Sequence, residues 1–298
     1  MIVEALGERP YSVGTRVASM PKHPLPMRTV FRRCFLANFA VDPETMRRAI
    51  PTPIEPDLHN GEAYVSVVIA EMERMRPAFL PRAFGVTYTQ VVYRAVVRCS
   101  GERGVYFLRS DADNRLMCAF GNWLTFFRFH LADANWRDEA GRVLLDIAST
   151  AKNADIHATY DVAGATQALP KFSRFGSLNE AKTFLVELYS AFGRDTRGHT
   201  SRVRIDRGAW DVAVVDDSRA EYAFMKSGQP FANTEARLDS VFYVRDLPYY
   251  WHTLERLPQT VAISAGEAAT RVISRTGAGR NRSRRPSPST RTHHERTA

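Results

Sequence analysis

Alternating apolar and polar positions predict a chain built mainly of strands. The clearest pattern is VTYTQVVYRAVVRC at residues 86–99, where both sets of alternate positions are mostly apolar. A period of two indicates a strand, and apolar residues on both faces indicate a strand that is covered on both sides. Gln90 and Arg94 are polar exceptions in this strand. Their spacing of four residues places them on the same face.

The same reasoning predicts further strands along the chain. IHATYDV is expected to pair antiparallel with the VLLDIAS segment before it. The other predicted strands are VFRRCFLANFAV, GEAYVSVVIAEMERM, GVYFLRS, FFRFHL, HTSRVRIDRGAWDVAVVD and DSVFYVRDL. The aromatic segment at residues 248–252 is compatible with a pocket mouth or with a helical turn packed on the surface.

Three short helices are predicted between the strands. The first begins at Asp42-Pro43, with aspartate as N-cap and proline in the first turn. The second begins near Asn114, capped by Asp111 or Asp113, with Leu116, Met117, Phe120 and Trp123 facing a core. The third begins with the capping box Ser177–Glu180 and is expected to continue through Phe192 to Gly193. Asp111 and Asp113, near the start of the second helix, could also form a carboxylate pair, but helix capping accounts for them.

This order of elements predicts an α+β, mainly β protein with an antiparallel sheet or barrel, because strands follow one another without regular βαβ alternation. Residues 1–28 contain several prolines and form an irregular N-terminal extension. Residues 29–274 form a single domain, and residues 275–298 form a tail. Long strands covered on both faces suit a barrel with side chains or a ligand inside.

Charge and composition narrow the possible partners. The net charge is +9, but seven arginines and one glutamate in residues 275–298 supply +6 of it. This Ser-, Pro- and Arg-rich tail is predicted to be a disordered basic C-terminus. Nucleic acid is therefore an unlikely partner except through weak contacts of the tail, and a homo-oligomer is possible.

No apolar run is long enough for a membrane span, so we expect no membrane partner. With no secretory signal and three cysteines lacking paired spacing, the expected location is the cytoplasm.

Nucleotide, metal and hydrolase motifs are not found in the sequence, and no cofactor and no metal site are expected. His130 lies in a predicted strand among large apolar residues. A single histidine in that position is more often a core or rim residue than a ligand. The same stretch also contains Asn122 and Arg128 close to large apolar side chains.

Several of these segments together resemble an uncharacterised bacterial family of the acetoacetate decarboxylase-like superfamily. The segments are DPETMRRAIP, NGEAYVSVV, YTQVVYRAVVR, GVYFLRSDADNRLMCAFGN and SLNEAKTFLVELY. The resemblance covers roughly residues 30–245 and implies a closed antiparallel β-barrel with a small-molecule pocket inside and a few helices packed outside. Decarboxylases of that superfamily use a lysine after the glycine-containing helix as a Schiff-base nucleophile. Here no lysine occurs between residues 23 and 151, and Gln90 stands where the resemblance implies a glutamate. Arginine cannot replace that lysine, because it stays protonated.

The sequence therefore predicts a protein with a small-molecule pocket. We expect it to be an enzyme of lyase or isomerase type that works without a Schiff base. Acetoacetate decarboxylation itself is not expected. The substrate would carry a carbonyl or carboxylate group and undergo enolisation, cyclisation or dehydration. We expect Gln90 and His130 as catalytic residues, and Arg94, Asn122, Arg128 and Tyr88 as substrate-binding residues. The alternative is a non-catalytic small-molecule-binding protein that has lost the decarboxylase chemistry.

Overall fold

Strands account for most of the structure. The computed structural model describes residues 22–195, 198–217, 219–232 and 234–258. Within them the strands are β1 (Met27–Val41), β2 (Glu55–Pro56), β3 (Ala63–Pro77), β4 (Val86–Cys99), β5 (Glu102–Ala112), β6 (Phe129–Glu139), β7 (Arg142–Ser149), β8 (Ile156–Thr166), β9 (Ser190–Arg194), β10 (Thr200–Arg207), β11 (Ala213–Asp217), β12 (Glu221–Tyr222) and β13 (Arg237–Arg256). The α-helices are α1 (Pro43–Ala49), α2 (Arg115–Leu124), α3 (Leu178–Leu185) and α4 (Ala223–Ser227), and a short 3-10 helix spans Arg82–Phe84. The α+β, mainly β class is confirmed.

The strands form one mixed sheet. Their order is β10-β9-β5-β6-β7-β8-β11-β13-β1-β3-β4-β2, and β12 pairs with β8. Two additional pairings connect β4 to β5 and β10 to β13. Most ladders are antiparallel, but β5 pairs parallel with both β6 and β9. The expectation of a wholly antiparallel sheet is wrong at β5. The helix α2 forms a crossover that returns the chain to β6 in the same direction, and β9, which follows α3, also runs parallel to β5.

The longest strands contribute to two separate apolar cores, one on each face. In β4 the side chains of Tyr88, Val92 and Val96 belong to the first core, which also contains Leu185 of α3. The intervening side chains of this strand, such as Tyr93, belong to the second core, which lies against β7 and β8. The prediction that this strand is covered on both sides is confirmed. Gln90 and Arg94 are an even number of residues from Tyr88, Val92 and Val96, so their side chains lie on the first-core face of β4.

Two of the predicted helices differ in detail. The side chain of Asn114, not of either aspartate, accepts the N–H of Met117 and caps α2. Leu116, Phe120 and Trp123 are about half exposed, at 55%, 44% and 54%, so the prediction that they face a core is wrong. The buried positions of α2 are instead Cys118 and Gly121, because this helix packs through its small residues.

The third predicted helix is shorter than its apolar spacing suggests. Ser177 caps it as predicted, since its Oγ accepts the N–H of Glu180 at 3.2 Å. The helix ends at Leu185, however, and residues 190–194 form β9. Phe192 there pairs with β5 on one side and β10 on the other, so cross-strand pairing overrides the helical periodicity.

Some sequence predictions fall on residues that the structure does not describe. The first 21 positions of the N-terminal extension and the whole basic tail at residues 275–298 lie outside the described ranges. In the described part of the chain, no helix is both long and apolar enough to cross a membrane. The three cysteines are all buried and free.

Candidate functional site

A small cavity lies against the first-core face of β4. It has a volume of about 40 Å³, enough for a few water molecules, and we call it the inner cavity. Its polar and aromatic lining residues are Gln90, Arg94, Trp210, Tyr249 and Trp251, and its apolar walls are Phe31, Val68, Ala70, Met72, Val92 and Phe107. The structure therefore brings two of the predicted site residues, Gln90 and Arg94, into one cavity.

Tyr88 supports this pair from the same face of β4. Its hydroxyl group donates a hydrogen bond to Oε1 of Gln90 at 3.1 Å. This contact fixes the amide orientation, so that the NH₂ group of Gln90 remains available as a donor. Burial raises the pKa of the Tyr88 phenol, which therefore stays protonated at neutral pH.

Arg94 is the most unusual residue of the cavity. It is only 5% exposed, and its Nη2 donates to the backbone carbonyl of Leu185 at 3.0 Å. Its Nε is buried and has no hydrogen-bond acceptor in the described part of the chain. A buried arginine normally has an acidic partner, but within the described ranges no carboxylate forms an ion pair with Arg94.

The two acids that could have paired with Arg94 are engaged elsewhere. Asp111 accepts two hydrogen bonds from Arg109, at 2.8 and 2.7 Å. Asp113 accepts the backbone N–H of Thr89 at 2.8 Å. A structural ion pair between Arg94 and either of these acids is therefore excluded.

The electrostatic environment of Arg94 reflects this missing partner. Burial, together with a smaller effect of the positive charge of Arg207, lowers the pKa of its guanidinium group to about 10. Tyr249 acts in the opposite direction. The group still carries its full charge at neutral pH. The cavity thus contains a desolvated cation that a bound anion would stabilise.

Arg207 and Trp210 extend this set of unsatisfied donors. Arg207, at the end of β10, donates through Nη2 to the carbonyl of Val186, while its Nε and Nη1 are buried without an acceptor. Its guanidinium carbon lies 4.7 Å from the ring centre of Tyr189 and 5.1 Å from that of Trp210. The indole Nε1 of Trp210 is likewise buried without an acceptor among the described residues. With Arg94 Nε, four buried donor nitrogen atoms have no acceptor in this region.

A larger cavity adjoins the inner one. It has a volume of about 430 Å³, and we call it the outer cavity. Tyr249 lines both cavities, and Arg207 lines the outer one. Volumes of several hundred Å³ are typical of sites for small molecules.

The remaining predicted site residues lie apart from both cavities. Asn122 holds the backbone of Phe129, since its Nδ2 donates to the carbonyl at 2.8 Å and its Oδ1 accepts the N–H at 2.7 Å. Arg128 and His130 are exposed. Burial lowers the pKa of His130, with a further contribution from Arg109. The structure does not bring these three residues to Arg94, and their predicted roles stay predictions.

Sequence reasoning missed Arg207 and Trp210 and left the role of Tyr249 open. Arg207 and Trp210 are in a predicted strand segment where charged and apolar residues alternate. Arg207 has the parity of the apolar residues Val203 and Ile205, but that pattern does not indicate a cavity. Tyr249 and Trp251 were visible as part of an aromatic segment. The structure shows that this segment continues β13, so alternate aromatic residues face the cavity.

Lysine does not line either cavity among the described residues. Lys22 approaches α2 from outside, where its Nζ donates to the carbonyls of Asn122 and Trp123 at 2.9 and 2.7 Å. In the same ranges no group of three or more His, Cys, Asp or Glu side chains could hold a metal ion.

Solved structures with a similar fold include acetoacetate decarboxylases. Acetoacetate decarboxylase from Legionella pneumophila superposes with a TM-score of 0.56 at 14% identity, covering 80% of this chain and 90% of that one. An acetoacetate decarboxylase-like enzyme from Sphingomonas wittichii RW1 gives 0.55 at 12% identity, covering 80% and 94%. The enduracididine biosynthesis enzyme MppR, complexed with pyruvate, gives 0.52 at 14% identity, covering 85% and 99%. At these identities the similarity establishes the fold alone.

Sequence comparisons identify the family. The uncharacterized protein YqjF from Bacillus subtilis (strain 168) is 30% identical over 138 residues, or 45% of this chain. The alignment covers only 56% of the length of that relative. The model of the family DUF2071, described as "Uncharacterized conserved protein (COG2071)", matches residues 28–248. This match covers most of the described residues and every cavity-lining residue except Tyr249, Tyr250 and Trp251. The chain therefore belongs to the DUF2071 family, with a fold of the acetoacetate decarboxylase-like type.

Proposed function

We propose that this protein binds a small carboxylate- or carbonyl-bearing molecule in the inner cavity, with Arg94 as the anchor of its oxygen atoms. The observation that carries the proposal is the buried Nε of Arg94, which has no acceptor in the described structure. An unsatisfied donor on a charged group costs more than about 1–3 kcal/mol. A carboxylate in the cavity would satisfy it and compensate the buried charge.

The bond between Arg94 and the carbonyl of Leu185 offers a purely structural explanation, in which the arginine only caps α3. That explanation accounts for one of the five N–H donors of the guanidinium group. It does not account for the unpaired Nε, for the neighbouring cavity or for a second arginine placed nearby. Ligand binding accounts for all three.

We infer that the pocket is the interior of a closed β-barrel. The ladders β5–β9, β9–β10, β10–β13, β13–β1, β1–β3, β3–β4 and β4–β5 supply a continuous circuit of paired strands. The first core, which includes apolar residues of β1, β3, β4, β10 and β13, would fill this barrel. A closed circuit of this kind would shield a bound anion from water on most sides.

For catalysis we propose enolisation of a carbonyl-bearing ligand rather than imine chemistry. The cyclisation or dehydration predicted from the sequence would also begin with this step. In that reaction an α-proton of the ligand passes to solvent, because no described lining residue of the cavity is a histidine, carboxylate or lysine that could accept it. The Arg94 guanidinium stabilises the enolate oxygen that forms, and the NH₂ group of Gln90 donates to the same oxygen. A role for His130 as the acid or base stays a prediction, as do ligand contacts by Asn122 and Arg128. The same holds for homo-oligomers, a cytoplasmic location and weak nucleic-acid contacts of the tail.

The binding proposal is tested by comparing two arginine variants of the same strand. Arg98 also lies on β4, but its side chain is 46% exposed and pairs with Asp57 at 3.1 Å. Acetate, propionate, pyruvate and acetoacetate are titrated while the fluorescence of Trp210 and Trp251 is followed, since both line the cavity. We expect Arg94→Met to weaken binding by roughly tenfold or more. Arg98→Met should bind as the unchanged protein does. Equal affinities for Arg94→Met and the unchanged protein would refute the proposal.

Non-catalytic binding is the second candidate function. It is favoured by the cavity lining, which among the described residues contains no histidine, carboxylate or lysine to transfer a proton. Proton exchange at the methyl group of pyruvate, followed by NMR in D₂O, separates the two candidates. Exchange that is faster with the protein and lost in Arg94→Met supports an enzyme. Binding without accelerated exchange of any carbonyl ligand supports a binding protein.

A further inference from the structure

The outer cavity carries an excess of positive charge that a monocarboxylate in the inner cavity would leave unused. Four arginines line it, Arg28, Arg76, Arg82 and Arg207, against the two acids Glu73 and Asp206. Both acids are already engaged. Glu73 pairs with Arg82 at 2.6 Å, and Asp206 contacts His252 at 2.6 Å.

Three of the four arginines have no carboxylate partner within the described ranges. Arg76 donates only to backbone carbonyls, those of Leu80 and Arg74 at 3.1 and 2.9 Å. The guanidinium group of Arg28 lies 6.0 Å from the ring centre of Tyr250. Arg207 has two buried N–H groups without an acceptor. Arginine clusters with free donors are typical of sites that recognise carboxylate or phosphate groups.

The spacing of the two cavities suits one elongated ligand. Arg94 and Arg207 are hydrogen-bonded to the carbonyls of adjacent residues, Leu185 and Val186. Because adjacent Cα atoms are ~3.8 Å apart, the two guanidinium groups lie within the length of a small molecule. Tyr249 pairs with Arg207 across the β10–β13 ladder and lines both cavities, so its side chain stands at their junction.

From these contacts we infer that the ligand is a dianion, with one anionic group held by Arg94 in the inner cavity and a second held by Arg207, Arg28 and Arg76 in the outer cavity. The second group is a carboxylate or a phosphate, since both match the guanidinium donors. This inference rests on the proposed function, because it assigns the first anionic group to the same Arg94 site.

The experiment compares monoanions and dianions at constant ionic strength. Propionate and butyrate are titrated beside succinate and glutarate, and beside 3-phosphopropionate, which separates a phosphate from a carboxylate as the second group. We expect at least one dianion to bind roughly tenfold tighter or more than its monoanion. Arg207→Met should remove this advantage without changing the affinity for the monoanion.

Two further variants and a control test the outer cavity without disturbing α3, which Arg207→Met could destabilise. Within the described residues Arg28 and Arg76 form no hydrogen bond or ion pair with α3, so Arg28→Met and Arg76→Met test the outer cavity even if Arg207→Met fails to fold. Each should reduce the dianion advantage. Arg204 lies on the same strand as Arg207, is 57% exposed and forms only a long contact of 3.8 Å with Glu255. Arg204→Met should leave the advantage intact.

The outcomes separate this inference from the proposed function. Monoanion binding that depends on Arg94 but is not improved by any dianion would overturn the dianion inference alone. A dianion advantage that survives Arg207→Met, Arg28→Met and Arg76→Met would also overturn it. Failure of every anion to bind would refute the Arg94 anchor itself.

Discussion

Arg94 and Arg207 donate hydrogen bonds to the carbonyl oxygens of two adjacent residues, Leu185 and Val186, at the end of α3. The C-terminal end of a helix carries a partial negative charge, which favours nearby cations. This arrangement holds two arginines in place without any carboxylate. It therefore leaves Arg94 Nε and Arg207 Nε and Nη1 without an acceptor in the described structure, rather than consumed by an ion pair.

The first prediction concerns the cost of this arrangement to stability. Burial lowers the pKa of Arg94 in the folded chain to about 10, well below the ordinary value of an arginine. The folded state thus holds this proton less tightly than the unfolded state. The penalty is fully present below pH 10 and disappears only as the pH rises above 10 towards the pKa of the unfolded state. At pH 7.5, Arg94→Met should therefore leave the Tm unchanged or raise it, because apolar replacement of a buried charge is often neutral or stabilising.

The same variant is expected to lose anion binding, so stability and function separate at this residue. Thermal unfolding and ligand titration are measured on one preparation. A clearly lower Tm for Arg94→Met would contradict the prediction and would show that the bond to Leu185 is required to hold α3.

The second prediction concerns the buried ion pair of Arg109 and Asp111, which is structural. Arg109 is 5% exposed and Asp111 is 1% exposed. Arg109 also donates to Asn153 and Ser149, each at 2.7 Å. Arg109→Met should lower the free energy of unfolding by about 3–5 kcal/mol, because it leaves a buried carboxylate without compensation.

Urea unfolding measures this loss, and a double variant provides the control. Arg109→Met combined with Asp111→Leu removes both charges and should recover much of the stability. If the single and double variants are equally destabilised, the loss comes from packing rather than from the orphaned charge. The contrast between Arg94→Met and Arg109→Met then separates a ligand-binding arginine from a structural one.

Sequence patterns predicted much of the fold because its strands are long and strongly alternating. The strand predicted over residues 86–99 matches β4 at both ends, and Gln90 and Arg94 share a cavity as their spacing predicts. The N-cap of α1 by Asp42 was equally predictable, since its side chain accepts the N–H of Thr45 at 2.7 Å.

Tertiary context decided the features that the sequence did not reveal. Gly121 lies within α2, where an added Cβ would come 2.3 Å from the ring of Phe129, a close approach that the helical pattern does not reveal. Phe192 suited a helix by spacing and became part of β9, because two neighbouring strands pair there. Arg207 belongs to the site through contacts with Val186, Tyr189 and Trp210, the first two of which lie in an earlier segment of the chain. No local pattern encodes such long-range partners.

The third prediction concerns the pH dependence of stability at Asp217. Its Oδ2 accepts the hydroxyl of Tyr222 at 3.0 Å, and that hydroxyl lies 2.8 Å from the hydroxyl of Tyr160. Its Oδ1 is buried without a donor in the described part of the chain. Burial raises the pKa of Asp217 to about 6 from an ordinary value of 3.8.

Between these two pKa values the folded state keeps a proton that the unfolded state has lost. The contribution of Asp217 to stability therefore falls as the pH rises from about 4 to about 6, and stays low above pH 6. Asp217→Asn should remove this dependence. The free energy of unfolding of the variant, relative to that of the unchanged protein, should therefore be higher at pH 7.5 than at pH 4.5. Denaturant unfolding at both pH values measures the change. The exposed neighbour Asp216 gives the matched control Asp216→Asn, and an identical pH response of both variants would contradict the assignment.

The last prediction is that this protein forms no Schiff base with a keto acid. Imine formation needs a neutral amine next to the bound carbonyl group, and no described lysine lines either cavity. Lys22 is the one lysine that the structure brings to α2, the helix after which decarboxylases of this fold are expected to carry their nucleophile. Burial lowers the pKa of Lys22, but its Nζ donates to two backbone carbonyls, and both bonds favour the protonated form. Borohydride reduction in the presence of pyruvate or acetoacetate, followed by intact mass measurement, should therefore show an unmodified chain. If an adduct forms, peptide mapping together with Lys22→Arg identifies its site. An adduct lost in Lys22→Arg would show that the N-terminal segment supplies the amine that α2 lacks.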